Sequence, residues 1–94
     1  MLLKSKTSFS IRLNAPSYVK FRGSVKRDLR RHLAVALRGD MASFEITGDR
    51  LSIDVLHNPD ENPNLKLQKA LRLTESSLFF SHPYLFFEGV NLFS

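Results

Sequence analysis

The sequence predicts an α+β fold, a two-layer sandwich in which helices cover one face of a mainly antiparallel sheet. Three observations support this prediction. Three segments alternate apolar and polar residues, two segments repeat apolar residues every three or four positions, and the order is β-α-β-β-α with a possible fourth strand. A length of 94 residues, with 43% hydrophobic and 24% charged residues, is typical of a single globular domain over residues 1–94.

The first strand is predicted over residues 7–14. Phe9, Ile11 and Leu13 alternate there with polar residues and therefore face one side of the strand. This alternation is typical of a strand that is buried on one face only.

A helix is predicted between Ser17 and Arg38, and its secure part begins near Ser24 because Gly23 weakens the part before it. Gly39 follows the last periodic position, where a left-handed helix end favours glycine. The apolar stripe of this helix consists of Tyr18, Phe21, Val25, Leu29, Leu33 and Ala36.

Residues 42–55 predict a β-hairpin in which Gly48 and Asp49 form a two-residue type II′ turn. One face is then entirely apolar and the other polar, whereas a shift of one residue would expose the apolar side chains of one strand. The predicted pairs are Thr47 with Arg50, Ile46 with Leu51, Phe44 with Ile53, and Ala42 with Val55.

Residues 57–64 contain two Pro and three Asn and are predicted to form a loop. Asn64 is predicted to cap a second helix that begins at Leu65, and Pro83 is predicted to stop it. The inner stripe of this helix consists of Leu67, Leu71, Thr74 and Leu78.

The strands are predicted to lie in the spatial order 1-3-2. A right-handed crossover from the first strand to the second leaves a position that the third strand fills, so the first strand is expected at an edge. The aromatic tail, residues 81–94, is either a fourth strand or a segment that packs on a partner.

The charge is divided unevenly along the chain. The net charge is +5, but residues 1–39 contain ten Lys or Arg and one acid, while residues 40–94 contain four basic and eight acidic residues. This polarity favours an anionic partner at one side of the domain, although a solvated basic helix would show it too. The absence of Cys favours a reducing compartment, the cytoplasm, and no apolar run is long enough to cross a membrane.

No enzyme signature, cofactor motif or metal-binding pattern is found. His32, His57 and His82 lie in three different segments and are expected to be solvated or loop histidines. Asp54, Asp60 and Glu61 are expected to act as capping or turn groups rather than as a catalytic set.

The first helix predicts a nucleic-acid-binding surface that contacts phosphates without reading bases. An RNA-recognition motif is disfavoured, because the polar face of the predicted sheet presents no aromatic ring on which a base could stack. The candidate nucleic-acid-binding residues are Lys20, Lys26, Arg27, Arg30, Arg31 and Arg38.

Aromatic residues concentrate at the end of the chain, and a small core cannot easily absorb them all. Some are therefore expected to face another protein, although a fourth strand that closes over the core is the alternative. The candidate partner-binding residues are Leu71, Leu78, Phe79, Phe80, Tyr84, Phe86 and Phe87.

Three features of the sequence resemble the Pcc1 family. They are the order strand, helix, hairpin, helix, the sequence GDRLSIDV at residues 48–55, and the Leu-Arg pair within ALRL at residues 70–73. These proteins are the small dimerising subunits of the KEOPS tRNA-modification complex. The resemblance covers residues 8–80, but Thr74 to Ser76 stand where the family usually has an Asn. It implies a non-catalytic scaffold that pairs through an edge strand and helps to hold tRNA for threonylcarbamoyladenosine synthesis. The helix Leu65–Phe80 would dock the larger catalytic subunit.

We therefore expect a non-catalytic subunit that binds RNA, with tRNA as the expected class, and that docks with a protein partner or forms a homodimer. Two alternatives remain open. One is a small endoribonuclease toxin of the RelE type, and the other is a phage or accessory factor that binds a host protein.

Overall fold

The computed structural model describes residues 3–14, 23–82 and 85–88. Its elements are β1 (Ser5–Asn14), α1 (Gly23–Ala36), β2 (Met41–Thr47), β3 (Arg50–His57), α2 (Pro63–Leu78) and β4 (Phe86–Glu88). The α+β fold class and the order β-α-β-β-α are confirmed, and a short fourth strand follows them. In the described part of the chain, no helix is both long and apolar enough to cross a membrane.

The sheet has the order β2-β3-β1-β4 and all of its neighbouring strands are antiparallel. The predicted order 1-3-2 is therefore confirmed. The prediction that β1 is an edge strand is wrong for the C-terminal end of β1, because β4 pairs with Arg12–Asn14 there. The tail is expected from the sequence to be either a fourth strand or a segment that packs on a partner, and residues Phe86–Glu88 form a fourth strand.

The hairpin forms about Gly48 and Asp49, and Gly48 has a φ of 62° as the first central position of a type II′ turn requires. The predicted pairs hold from Thr47↔Arg50 to Phe44↔Ile53. Beyond them a bulge shifts the register, so that Met41 rather than Ala42 pairs with Val55. As a result, Met41 packs against the core, and Ala42 is exposed. The prediction that Ala42 faces the core is wrong.

Helix α1 ends in a Schellman motif. The N–H of Gly39 donates to the carbonyl of Ala34 (3.1 Å), and the N–H of Arg38 donates to the carbonyl of Val35 (3.0 Å). Arg38 occupies the left-handed region with a φ of 53°, and Gly39 follows with a φ of 85°. The left-handed helix end thus begins one residue earlier than the sequence predicts. The first part of the predicted helix, with Ser17, lies outside the described residues.

Helix α2 begins two residues earlier than predicted, because Asn62 rather than Asn64 is its N-cap. The Oδ1 atom of Asn62 accepts hydrogen bonds from the N–H groups of Asn64 (2.9 Å) and Leu65 (3.4 Å). Pro63 then occupies the first turn, where its missing N–H costs nothing. The predicted inner stripe is confirmed: Leu67, Leu71, Thr74 and Leu78 are all buried.

The two helices and one face of the sheet enclose a single core. Leu29 and Leu33 from α1 and Leu67 and Leu71 from α2 are completely buried. They share the core cluster with Ile11, Leu13, Leu51, Ile53 and Val55 from the sheet. On the opposite face of the sheet, strands β1, β2 and β3 present mostly polar residues and no aromatic ring, as predicted; the exposed residues include Ser8, Ser10, Arg12, Glu45, Thr47, Arg50 and Ser52.

Candidate nucleic-acid interface

Four basic side chains are exposed on α1: Lys26, Arg27, Arg30 and Arg31. Their position follows from the helical period. Val25, Leu29 and Leu33 recur every four residues and are buried, so residues one and two positions after them point away from the core. The structure therefore brings four of the six predicted nucleic-acid-binding residues together on one surface, which we call the α1 basic face.

The α1 basic face lines a groove of about 500 Å³ between the helix and strand β2. Phe44 and Ile46 form the apolar part of this groove, and both are half-buried. Ala34 and the exposed Glu45 complete its lining. The groove thus combines four cations with three apolar side chains and a single carboxylate.

Asp28 partly neutralises the α1 basic face. Its Oδ1 atom lies 3.8 Å from Arg27 Nε and 3.6 Å from Arg31 Nη2. These ion pairs are long, and the arginine side chains remain 74% and 67% exposed, so they contribute little to stability and leave both arginines accessible. Lys26 and Arg30 make no ion pair among the described residues.

Asp28 also links α1 to the segment after α2. The Nε2 atom of His82 lies 3.2 Å from Oδ2 of Asp28. This hydrogen bond is the largest cause that lowers the pKa of Asp28, and the charges of Arg27 and Arg31 lower it further. Asp28 therefore stays ionised and holds His82 against α1. Sequence reasoning missed this contact because the two residues are far apart in the chain.

Arg38 does not join the four cations of the α1 basic face. The predicted helical offset does not apply to Arg38, because α1 ends at Ala36 and Arg38 turns into the left-handed region. Arg38 instead lines a second groove of about 540 Å³ together with Lys66 and Lys69. Lys20 lies outside the described residues.

The second groove contains an ion-pair network centred on Asp40. Its carboxylate accepts hydrogen bonds from the ammonium groups of Lys4 and Lys66, each at 2.6 Å. Lys66 also donates to the carbonyl of Leu56 at 2.8 Å. The hydrogen bonds from Lys4 and Lys66 lower the pKa of Asp40. These hydrogen bonds connect the start of the chain, α2 and β3 through Asp40, so the network stabilises the fold.

Two exposed phenylalanines lie at the end of α2. Phe79 is 55% exposed and Phe80 is 95% exposed, and their rings meet edge to face with centroids 5.6 Å apart. They line a groove of about 450 Å³ with Arg72, Glu75, Ser76, His82 and Leu85. Among the predicted partner-binding residues whose side chains the structure describes, Phe79 and Phe80 are the exposed ones.

Three other predicted partner-binding residues lie in the core of the protein itself. Leu71, Leu78 and Phe87 are 0%, 2% and 7% exposed, so a partner could reach them only if the core opened. We correct their assignment, because the inner stripe of α2 and the β4 residue opposite Leu13 pack inward. Tyr84 and the side chain of Phe86 lie outside the described residues.

The described contacts do not join the three histidines. His57 is the last residue of β3 and is buried, so the expectation of a solvated or loop histidine is wrong for it. Its Nδ1 atom donates to the carbonyl of Asn58 (2.9 Å), and its Nε2 atom bonds to the hydroxyl of Thr7 (2.7 Å). Glu61 accepts from the N–H of Asn58 at 3.1 Å, which is the turn-capping role that the sequence predicts. No group of three or more His, Asp or Glu in the described part of the chain could hold a metal ion.

Comparison of the chain with protein-family models, with curated proteins and with solved structures finds no match. The resemblance to the Pcc1 family therefore stays a prediction.

Proposed function

We propose that this chain is a non-catalytic subunit that binds RNA through the α1 basic face and a protein partner through Phe79 and Phe80. The observation that carries the proposal is the set of four exposed cations on one helix face, opposed mainly by Asp28. Such a surface attracts a polyanion strongly because several phosphates can be neutralised at once.

The expected mode of binding is contact with the phosphate backbone. Lys and Arg side chains fix the position of a nucleic acid without reading its sequence. The open face of strands β1, β2 and β3 has no aromatic ring on which a base could stack, so base readout on these strands is not expected. The resemblance to the Pcc1 family favours tRNA as the class of RNA.

Salt-dependent binding tests the RNA part of the proposal. Fluorescence anisotropy with labelled tRNA should show that log K falls with log [salt] with a slope of about −3, if four cations each contribute about −0.7. A DNA duplex of similar length, titrated in parallel, separates a preference for RNA from general phosphate binding.

A matched pair of quadruple variants locates the site. Lys26→Gln, Arg27→Gln, Arg30→Gln and Arg31→Gln together should remove most of the affinity and flatten the salt dependence. Lys6→Gln, Arg50→Gln, Lys69→Gln and Arg72→Gln remove the same charge from exposed positions elsewhere and should retain most of the affinity. Equal losses in the two variants, or binding that ignores salt, would contradict the proposal.

The partner-binding part rests on the exposure of Phe80. A phenylalanine that is almost fully exposed leaves a large apolar surface in water, which marks many protein-interaction sites. Phe80→Ser should abolish co-purification of the partner after nuclease treatment. Val35→Ser, which changes another exposed apolar residue, should leave it intact. Loss in both variants would contradict a site at the end of α2.

One observation favours a second function, a small endoribonuclease. The pairing of His82 with Asp28 places a carboxylate-oriented imidazole near Arg27 and Arg31, a combination that can transfer protons beside a phosphate. If purified protein cleaves RNA and His82→Ala alone abolishes cleavage while His32→Ala does not, this function replaces the first.

A further inference from the structure

Strand β2 forms one edge of the described sheet. In the described part of the chain, β2 pairs with β3 on one side and with no strand on the other. Hydrogen-bonded and non-hydrogen-bonded pairs alternate outward from the two-residue turn, beginning with the bonded pair Thr47↔Arg50. Phe44 and Ile46 therefore belong to non-hydrogen-bonded pairs, and their N–H and C=O groups point away from β3.

This edge lacks most of the features that commonly protect an edge strand. The sequence of β2, MASFEIT, contains no Lys, Arg or Pro, although these residues commonly block the addition of a further strand. Its bulge at Ala42 interrupts only the end nearest Met41, so the stretch from Ser43 to Thr47 remains regular. A regular edge of this kind can accept one more strand.

The same edge borders the groove beneath the α1 basic face. Phe44 and Ile46 direct their half-buried side chains to the helix side of the sheet, and Lys26, Arg27, Arg30 and Arg31 form the opposite wall. A strand added beside β2 would place every second side chain in this groove. A Glu at such a position can lay its methylene groups on Phe44 or Ile46 and extend its carboxylate to a cation.

We propose that β2 is a docking edge for an extended acidic segment of a protein partner, which adds as a fifth strand. The segment carries Glu or Asp at every second position, facing α1, and neutral β-branched residues between them, facing Ser43 and Thr47. The backbone groups of Phe44 and Ile46 supply its hydrogen bonds, and the α1 basic face selects its charge.

A second copy of the chain fits this edge poorly. Pairing of β2 with β2 of another copy would bring two α1 basic faces beside each other, with four cations on each. Repulsion between like charges opposes that arrangement, whereas an acidic strand neutralises the groove. Charge complementarity therefore decides the occupant.

The test uses synthetic peptides of alternating Thr and Glu, labelled with fluorescein, and the full chain. The parent peptide should bind, and a peptide with Lys in place of Glu should not. In addition, two peptides are N-methylated, one on its Thr residues and the other on its Glu residues. One of the two should lose binding and the other should keep it, because only one alternate set of N–H groups faces β2. Equal binding by both N-methylated peptides, or no binding by the parent peptide, would overturn the proposal.

Protein variants and NMR locate the peptide. Lys26→Gln and Arg30→Gln should each weaken peptide binding by about two- to fivefold, whereas Lys69→Gln should leave it unchanged. The amide protons of Phe44 and Ile46 should become protected from exchange when the peptide is added. Protection that rises with protein concentration alone would identify a second copy as the occupant and overturn the proposal.

The docking edge does not require RNA binding. The N-methylated pair reports strand addition, and the salt dependence of tRNA binding reports the phosphate contacts, so either result can fail without the other. If tRNA binds and the parent peptide does not, the groove serves the nucleic acid alone and the docking edge is rejected.

Discussion

Arg38 holds a backbone conformation that suits its position but not its residue type. It occupies the C′ position of the Schellman motif with a φ of 53°, where helices most often place glycine. A side chain in the left-handed region costs free energy because its Cβ atom approaches the following carbonyl. The next residue, Gly39, shares the positive φ without that cost.

We expect Arg38→Gly to raise the free energy of unfolding by about 0.5–1 kcal/mol, because it relieves the left-handed conformation. Urea denaturation followed by circular dichroism measures the change. Gly39→Ala is the matched control and should lower the free energy of unfolding, since it introduces a Cβ atom at a φ of 85°. A destabilised Arg38→Gly variant would show that the Arg38 side chain stabilises the fold.

Asp40 joins three parts of the chain that are distant in sequence. It binds Lys4, which precedes β1, and Lys66 in α2, while its own carbonyl accepts the N–H of Leu56 in β3. The side chains of Asp40 and Lys66 are each only 17% exposed, so their ion pair is shielded from solvent better than the pairs of Asp28 with Arg27 and Arg31.

We expect Asp40→Asn to lower the free energy of unfolding by about 1–3 kcal/mol at neutral pH, because Lys4 and Lys66 lose a charged acceptor. The hydrogen bonds from Lys4 and Lys66 make the pKa of Asp40 lower in the folded state than in the unfolded state. Its contribution is therefore complete above the unfolded pKa, about 4, and is lost as the pH falls through the folded pKa.

Urea denaturation from pH 7 into the acid range measures this loss. The wild-type protein should lose more stability on acidification than Asp40→Asn does. Asp60→Asn, which removes a carboxylate from an exposed loop position, should behave like the wild type. Identical acid dependence in Asp40→Asn and the wild type would exclude Asp40 as a source of acid sensitivity.

At the scale of elements, α2 shows how a cap fixes the start of a helix. Both Asn62 and Asn64 carry a side chain that can cap, and the sequence pattern favours Asn64. The structure uses Asn62 instead, which allows Pro63 to occupy the first helical turn, where proline is tolerated. Starting the helix at Asn62 extends α2 without removing any backbone hydrogen bond.

We expect Asn62→Ala to lower the free energy of unfolding by about 1 kcal/mol, because the N–H groups of Asn64 and Leu65 lose their acceptor. Asn64→Ala keeps those hydrogen bonds and should change stability by less than about 0.5 kcal/mol. Thermal or urea unfolding of the two variants distinguishes the caps. The reverse order of effects would place the cap at Asn64.

For the whole molecule, stability should be distributed according to the position of each strand in the sheet. β3 has a strand on both sides, β2 has one neighbour in the described sheet, and β4 pairs over only three residues. Segments held by few contacts open locally, while the most protected amides exchange only when the domain unfolds.

Hydrogen exchange measured by NMR should therefore be slowest for the amides of Leu51, Ile53 and Val55 in β3. Within β2, the amides of Glu45 and Thr47 should be protected and those of Phe44 and Ile46 should exchange quickly, because the latter point to the open edge. Uniform protection along β2 in the free protein would mean that another strand already covers this edge.

Local patterns determine much of this fold. The alternation in β1, the turn at Gly48 and Asp49, and the buried stripe of α2 each depend on residues only a few positions apart, and the sequence predicts all three. The same reasoning places Lys26, Arg27, Arg30 and Arg31 on one exposed helix face, because the period of α1 fixes which residues face the core.

Only the tertiary structure decides the features that join distant parts of the chain. Three features are of this kind. A bulge places Met41 rather than Ala42 opposite Val55, and β4 pairs with Arg12–Asn14. Asp28 contacts His82 and two arginines at once. Local periodicity carries no information about which distant residues meet, because that choice depends on the packing of the whole core. For the same reason the groove between α1 and β2 could not be foreseen, although the sequence predicts both of its walls.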